Sequence, residues 1–384
     1  MDFTLNEEQT QIRDRAREFT EAEIIPHARE NDALERFPRE TIRKMGEAGL
    51  LGGGVPRQYG GAEMEWIADA LLFEEVGRGD SSVRTTISVQ VSLVQQVILR
   101  WGSEEQRRRY LPPLCRGELL GCFALTEPGA GSDAAGIATR AERCDGGWVL
   151  NGTKTWITNG GVADVAIIFA RTASGTGSDE SAAFLVETAT PGFTTNEIRG
   201  KLGLRASNTA GIVMKECRVP EDALLGEVGE GLRIALGALD NGRFGVAAGC
   251  VGIIRGCVEE CTAHARGRTQ FGRPLASFQL VQDMIARMAV DLEAARMLVL
   301  RAAELKNRGA RNTLETSMAK YFASEAAVRA ATDAIQVHGA SGYSNAHPVE
   351  RYLRDAKVAT IYEGTSQIQK LIIGEHLLGV RAFT

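Results

Sequence analysis

The hydrophobic period of this chain changes twice, and those changes constrain the fold more than any single residue. From Asn6 to about Leu119 the apolar residues recur at helical spacing. At about Gly121 they shorten to brief runs separated by Gly, Thr and Ser, and from about Gly229 the helical spacing returns. A chain of 384 residues has room for two or three packed units at about 100 to 200 residues each. The expected protein is mainly α with a central β domain: a helical N-terminal domain over 1–120, a β domain over 121–228 and a helical C-terminal domain over 229–384.

Within the first region, Asn6 with Gln9 reads as a capping box, followed by Ile12, Ala16 and Phe19 on one face. The glycines between Gly49 and Pro56, and again Gly60-Gly61, interrupt it. Helices resume over Trp66–Gly77 and Ser81–Trp101, and Pro112-Pro113 is expected to close the region. In the middle, Trp148-Val149-Leu150, Asn151-Gly152 and Lys154-Thr155-Trp156-Ile157 read as strand, two-residue turn and strand. Further runs at Val165–Ala170, Ala183–Val186 and Ile212–Met214 predict a small barrel or sandwich. In the last region Val281, Met284, Ile285, Met288, Leu292, Ala295 and Val299 form one helical stripe. Similar stripes start at Leu232, Leu314 and Ser366, which predicts an antiparallel four-helix bundle.

A net charge of −5 supplies no basic field for nucleic acid or an anionic membrane. The acidic start of the chain lacks a secretory pattern, and no apolar run reaches the ~18 residues of a membrane span. The expectation is a soluble cytoplasmic protein. Seven cysteines without paired spacing favour reduced thiols, with Cys250, Cys257 and Cys261 as packing on one helix face. His338, His347 and Glu350 prompt a metal reading, but Pro348 interrupts the His347–Glu350 pair and no third ligand is evident, so no metal site is expected.

Ile361-Tyr362-Glu363-Gly364-Thr365-Ser366-Gln367 sets one carboxylate between an aromatic ring and a glycine. Desolvation there would raise its pKa toward the range of a general base; the alternative is a helix start at Ser366. The segment Phe123-Ala124-Leu125-Thr126-Glu127-Pro128-Gly129-Ala130-Gly131-Ser132-Asp133 offers backbone N–H groups and hydroxyls to a ligand, or is a plain turn. It matches neither a dinucleotide fingerprint nor a phosphate loop. Trp156-Ile157-Thr158 suits one side of a flat heteroaromatic ring, or a core.

Taken in order, Phe123–Asp133, Asn151–Asn159, Arg268-Thr269-Gln270-Phe271-Gly272, Gln336-Val337-His338-Gly339 and Tyr362-Glu363-Gly364-Thr365 resemble the acyl-CoA dehydrogenases. The resemblance runs from Phe3, Leu5, Glu8 and Gln9 to the last helix. It implies a helical N-terminal domain, a middle β barrel and a C-terminal four-helix bundle, assembled as a homotetramer, a dimer of dimers. It implies FAD between barrel and bundle, with Phe123, Leu125, Thr126, Gly131, Ser132, Trp156, Ile157 and Thr158 on the isoalloxazine. It further implies that Arg268, Gln270, Phe271, Gln279, Gln336, Val337, His338, Gly339 and Ala340 reach the pyrophosphate and adenosine of a neighbouring subunit, while Thr365 and Gln367 complete the site. Ser132, Asp240, Arg243 and Gly364 would contact acyl-CoA. An intrahelical Asp240–Arg243 pair is compatible with that role.

The activity so implied is α,β-dehydrogenation of an acyl thioester to the trans-2-enoyl thioester. Glu363 is the base, the hydride goes to flavin N5, and the electrons pass to an electron-transfer flavoprotein. The thioester carbonyl would accept from the Glu363 N–H and a ribityl hydroxyl. Ser82–Gln90 resembles the glutaryl-CoA branch, in which an arginine at the place of Arg84 pairs with the distal carboxylate of the substrate. A cation in an acyl pocket needs a partner, either an acidic or hydroxylated acyl group, on CoA or a carrier protein, or a protein carboxylate. Gly77 stands where that branch carries an acidic residue. A flavin oxidase or monooxygenase on the same fold is the alternative activity.

Overall fold

The computed structural model describes residues 4–173 and 179–382; Phe3 lies outside them. Helix α1 (Glu7–Phe19) starts at the expected capping box: the Asn6 side chain accepts from the Gln9 N–H at 2.8 Å and the Gln9 side chain from the Asn6 N–H at 2.9 Å. Helices α2 (Ile25–Leu34) and α3 (Arg39–Glu47) lead to α4 (Trp66–Gly79), which is buried along most of its length. Next, α5 (Ser81–Ser88), a wider π turn over Val89–Gln95 and α6 (Gln96–Trp101) follow one another without a break.

Helix α7 (Glu104–Cys115) corrects one expectation, since Pro112 and Pro113 lie inside it rather than closing it. The carbonyls that their missing N–H groups would have engaged belong to Arg108 and Arg109, both exposed and open to water. The helix ends instead where the Arg116 N–H returns to the Pro112 carbonyl, ahead of Gly117 at φ 69°.

The middle region is one sheet of β1 (Gly121–Ala124), β2 (Arg140–Cys144), β3 (Gly147–Thr158), β4 (Val165–Ala173), β5 (Asp179–Glu187), β6 (Phe193–Glu197), β7 (Thr209–Pro220) and β8 (Leu224–Leu225). Its order is β6-β7-β3-β2-β4-β5-β8, with β1 parallel to the first half of β4. Strand β4 is apolar without alternation because both of its faces are covered. Ile167 and Phe169 pack toward the N-terminal helices, whereas Ala166, Ile168 and Ala170 face an inner core. That core joins Phe193 of β6 to Phe184 and Val186 of β5, so the sheet wraps around it as a barrel does.

Asn151-Gly152 is not a turn. It is a bulge within the continuous strand β3, where the register against β7 shifts between Leu150 and Gly152. A Cβ at Gly152 would stand 2.4 Å from the Thr139 hydroxyl, so the glycine serves close strand approach. The hairpin turn is Asp145-Gly146, between the paired residues Cys144 and Gly147.

The C-terminal region contains the four expected long helices, α8 (Gly231–Gly267), α9 (Gln279–Asn307), α10 (Thr313–His338) and, after the shorter α11 (Val349–Ala359), α12 (Ser366–Leu378). Between α8 and α9, β9 (Thr269–Gln270) and β10 (Arg273–Pro274) make a small ribbon. Helix α11 was not expected, because Pro348 reads as a breaker; it stands at the N-cap, where its missing N–H costs nothing. Cys250, Cys257 and Cys261 are buried free thiols in the core, as expected. Among the described residues no helix is long and apolar enough to cross a membrane.

Candidate active site

Glu363 sits on the turn between α11 and α12 with φ 55°, followed by Gly364 at φ 86°. A non-glycine residue in that region is held against its preference by its surroundings. Three helices supply the hold. Arg243 of α8 donates from Nε to the Glu363 carbonyl at 3.2 Å, Lys320 of α10 donates to the Gly364 carbonyl at 2.7 Å, and Gln369 of α12 donates to both, at 3.2 and 3.0 Å. These donors engage the carbonyls of the turn, and none of them bonds the Glu363 carboxylate. The Glu363 N–H makes no hydrogen bond among the described residues, and Oε2 is shielded from water without a partner.

The absence of a partner for Oε2 governs the acidity of Glu363. Burial pushes its pKa up to about 7 from 4.5, against the opposing pull of Arg243, Lys320 and Arg84. Room for the carboxylate comes from α8, where a Cβ at Gly242 would lie 1.9 Å from Oε2. Lys320 is itself buried, which pushes its pKa down to about 8.

Glu363 lines a cavity of about 130 Å³ to which all three regions contribute: Arg84, Ser88, Val89 and Leu93; Phe123, Leu125, Thr126, Trp156, Ile157 and Thr158; and Leu239, Val246 and Tyr362. Arg84 is buried on α5 and donates to the Tyr362 hydroxyl, while its Nε has no partner. No carboxylate among the described residues forms an ion pair with it. Gly249 of α8 leaves it room, since a Cβ there would stand 2.5 Å from Arg84 Cδ and Nε. Gly77 in turn touches Gly249, a Cβ on it falling 2.6 Å from the Gly249 carbonyl, so this spot holds close helix contact and no acidic group.

Trp156 is 61% exposed at φ 58°, beside the second bulge of β3, and is therefore not a core residue. The bulge turns its ring to the rim of the cavity while Ile157 returns to the sheet. The Phe123–Asp133 loop is anchored by a group that residue spacing does not reveal. Glu127 accepts from Lys154 of β3 at 2.7 Å, and from the Thr139 hydroxyl, the Thr139 N–H and the Ala138 N–H. Lys154 also donates to the Leu125 carbonyl. Burial pushes Lys154 down to about 8, while these donors hold Glu127 below its ordinary value despite its burial.

Other expected residues take no part in this cavity. Arg243 pairs with Asp240 at 2.7 Å, three residues earlier on α8, and Asp240 also accepts from Thr313 at 2.9 Å. Thr365 caps α12 by accepting from the Ile368 N–H, so the helix-start reading is also correct, for the threonine. Gly131 and Ser132 are exposed, and Gln367 is exposed on α12. Arg268, Gln270, Phe271, Gln279, Gln336, Gly339 and Ala340 are all exposed, Phe271 by 93%. Val337 and His338 instead turn into the protein. Lys320, Gln369, Gly242 and the Glu127–Lys154 pair were not foreseen. The one signal in the sequence for Lys320 is a charged residue within the small-residue face of α10.

The chain belongs to the acyl-CoA dehydrogenase family: the family's N-terminal domain matches residues 6–118, its middle domain 122–217 and its C-terminal domain 229–378. It is an oxidoreductase, an acyl-CoA dehydrogenase. It is 47% identical over 375 residues to an acyl-CoA dehydrogenase of Bacillus subtilis, covering 98% of this chain and 99% of that one. To the short-chain specific acyl-CoA dehydrogenase of rat mitochondria it is 43% identical, covering 97% and 91%. The solved glutaryl-CoA dehydrogenase of Mycobacterium smegmatis in complex with FADH2 superposes with a TM-score of 0.95 at 36% identity, covering 99% and 97% of the two chains.

Proposed function

We propose that the chain removes the α proton and β hydride of a short acyl thioester, with Glu363 as the base. The observation that carries this reading is the unpartnered Oε2 of Glu363 in the cavity wall, next to its own unpaired N–H. A thioester carbonyl received by that N–H would place its α carbon against the carboxylate. The N–H would then stabilise the charge that develops on the carbonyl oxygen as the proton leaves. A carboxylate with a pKa near 7 is a stronger base than a solvated one and still about half ionised at neutral pH.

The lining of the cavity suits the flavin of FAD: Trp156 offers an open ring face, and Thr126 and Thr158 offer hydroxyls. FAD held there would supply the acceptor for the β hydride. Arg268, Gln270, Phe271 and Gln279 beside the α8–α9 ribbon, with Gln336, Gly339 and Ala340, are exposed as residues lent to a neighbouring subunit's cofactor would be. That favours an oligomer, and the family resemblance makes it a homotetramer in this proposal. Electron transfer to an electron-transfer flavoprotein, and a cytoplasmic location, belong to the same proposal.

Arg84 favours a second, narrower reading. A buried guanidinium that forms no ion pair with a protein carboxylate leaves a charge that a substrate group can satisfy. The preferred acyl chain is thus acidic or hydroxylated at its far end. Anaerobic bleaching of bound FAD by butyryl-CoA and glutaryl-CoA tests it. Glutaryl-CoA should reduce the wild type at least tenfold faster, and Arg84→Met should abolish that preference while still accepting butyryl-CoA. Faster reduction by butyryl-CoA in both proteins would reject the acidic substrate.

A further inference from the structure

The C-terminal ends of α8 and α10 meet the segment before α11 in a cluster that the dehydrogenase site does not use. A carboxylate oxygen of Glu260 and one ring nitrogen each from His338 and His347 all lie within 4.8 Å of one another. The His338 ring is 5% exposed, and its Nδ1 stands 2.9 Å from the Ala334 carbonyl one turn earlier on α10. Nδ1 therefore carries the proton, and Nε2 keeps its lone pair. That Nε2 is buried and has no partner. A histidine fixed through Nδ1–H to a backbone carbonyl, with Nε2 left free, is how proteins hold a metal-binding imidazole.

The surroundings suit a cation. His264 stacks on His338 with ring centres 4.2 Å apart and fixes the plane of the ring. Glu260 and His347 both open onto a cavity of about 660 Å³, which gives an ion a way in. Of the guanidinium groups that line the same cavity, three are already engaged with carboxylates: Arg354 with Asp32 and Glu350, each at 2.7 Å, Arg78 with Glu21 at 2.9 Å, and Arg205 with Glu35 at 3.1 Å; Arg351 and Arg29 donate instead to the Gly79 carbonyl and the Asn345 side chain, and Arg351 favours an ionised Glu260. The pairing of Glu350 with Arg354 also explains why the His347–Glu350 spacing leads nowhere. The acidic partner of His347 is Glu260, from a helix 87 residues earlier in the chain.

We propose that Glu260, His338 Nε2 and His347 bind one divalent transition-metal ion of the zinc type, leaving a fourth position open to the cavity. One carboxylate with two imidazoles is a ligand set zinc accepts, and bonds of about 2.0–2.1 Å in a tetrahedron put ligand atoms about 3.3 Å apart. Binding thus draws the three side chains together by up to about 1.5 Å. Two of the three are half-buried, and His347 is carried on an irregular segment, so the closure needs no helix to move. The ion would clip α8, α10 and the entrance of α11 together.

The test uses the purified FAD-loaded enzyme, freed of metal with EDTA and dialysed to equilibrium against micromolar zinc chloride, with bound zinc measured by mass spectrometry. Wild type and His376→Ala, which alters an exposed histidine on α12, should each hold about one zinc per chain. His347→Ala and Glu260→Gln should each lower this at least tenfold with the flavin spectrum unchanged. Equal zinc in wild type and either variant would overturn the proposal, as would a wild type that binds none. Zinc held by thiols or by the surface falls under the first of these, because neither substitution would remove it.

Discussion

Gly242→Ala isolates the placement of the Glu363 carboxylate from everything else in the protein. The new Cβ would lie 1.9 Å from Oε2 and 2.5 Å from Cδ, so the carboxylate must retreat by at least about 1.1 Å to reach the shortest contact real Cβ atoms make. The retreat is cheap for the fold, since the colliding atoms are the far end of a side chain and alanine is favoured over glycine within a helix by up to about 1 kcal/mol. It is expensive for proton transfer, where a 1 Å displacement costs on the order of 100-fold, or about 2.7 kcal/mol. Stability and activity should thus move in opposite directions. Thermal unfolding and the flavin spectrum of Gly242→Ala should match or exceed the wild type, while stopped-flow flavin reduction under saturating acyl-CoA should slow about 100-fold. A variant that reduces its flavin within threefold of the wild-type rate would refute the placement.

Three further outcomes are expected. Lys320→Met removes both a donor to the Gly364 carbonyl and a charge that lowers the Glu363 pKa, so the acid limb of kcat/KM should move to higher pH and the pH 7 rate should fall roughly tenfold. A fall in rate with an unmoved limb would show Lys320 to be structural only. Because the folded pKa of Glu363 is raised, its contribution to stability is present below its unfolded value of 4.5 and lost as pH rises through about 7. Glu363→Gln should therefore be the more stable protein by about 3 kcal/mol at pH 8, with the difference shrinking toward pH 5 in denaturant titrations. Lys154→Met strands the buried Glu127 carboxylate and should cost about 3–5 kcal/mol, much of it recovered when Glu127→Gln is added; no recovery would mean that the pair is not the anchor of the loop.

The change of period at Gly121 and Gly229 was enough to divide helix from strand, because burial of one face is written directly into spacing. What misled was local chemistry with two solutions. Asn151-Gly152 and Asp145-Gly146 both spell a hairpin turn, and only the pairing of β3 with β7 along its whole length decides between them. Pro112-Pro113 and Pro348 read as breakers, yet one pair lies in a hydrated last turn and the other proline at a helix start.

Glu363 itself was legible because its unusual setting is made by its sequence neighbours. The groups that hold it were not. Gly242, Arg243 and Lys320 approach from helices that lie between 40 and 125 residues upstream, and nothing in a helical stripe marks a glycine as the gap for a distant carboxylate. Arg84 was visible through the resemblance of Ser82–Gln90 to the glutaryl-CoA branch, but that no carboxylate forms an ion pair with it among the described residues is a fact of packing alone.

The central claim is that Glu363 takes the proton, and anaerobic flavin reduction by Glu363→Gln tests it most directly. The glutamine keeps the size of the side chain and removes its basicity. The account predicts a variant that retains FAD and binds acyl-CoA, yet reduces its flavin at least about 1,000-fold more slowly than the wild type, the loss of a positioned general base being worth on the order of 10² to 10⁴. Reduction within tenfold of the wild-type rate would contradict it.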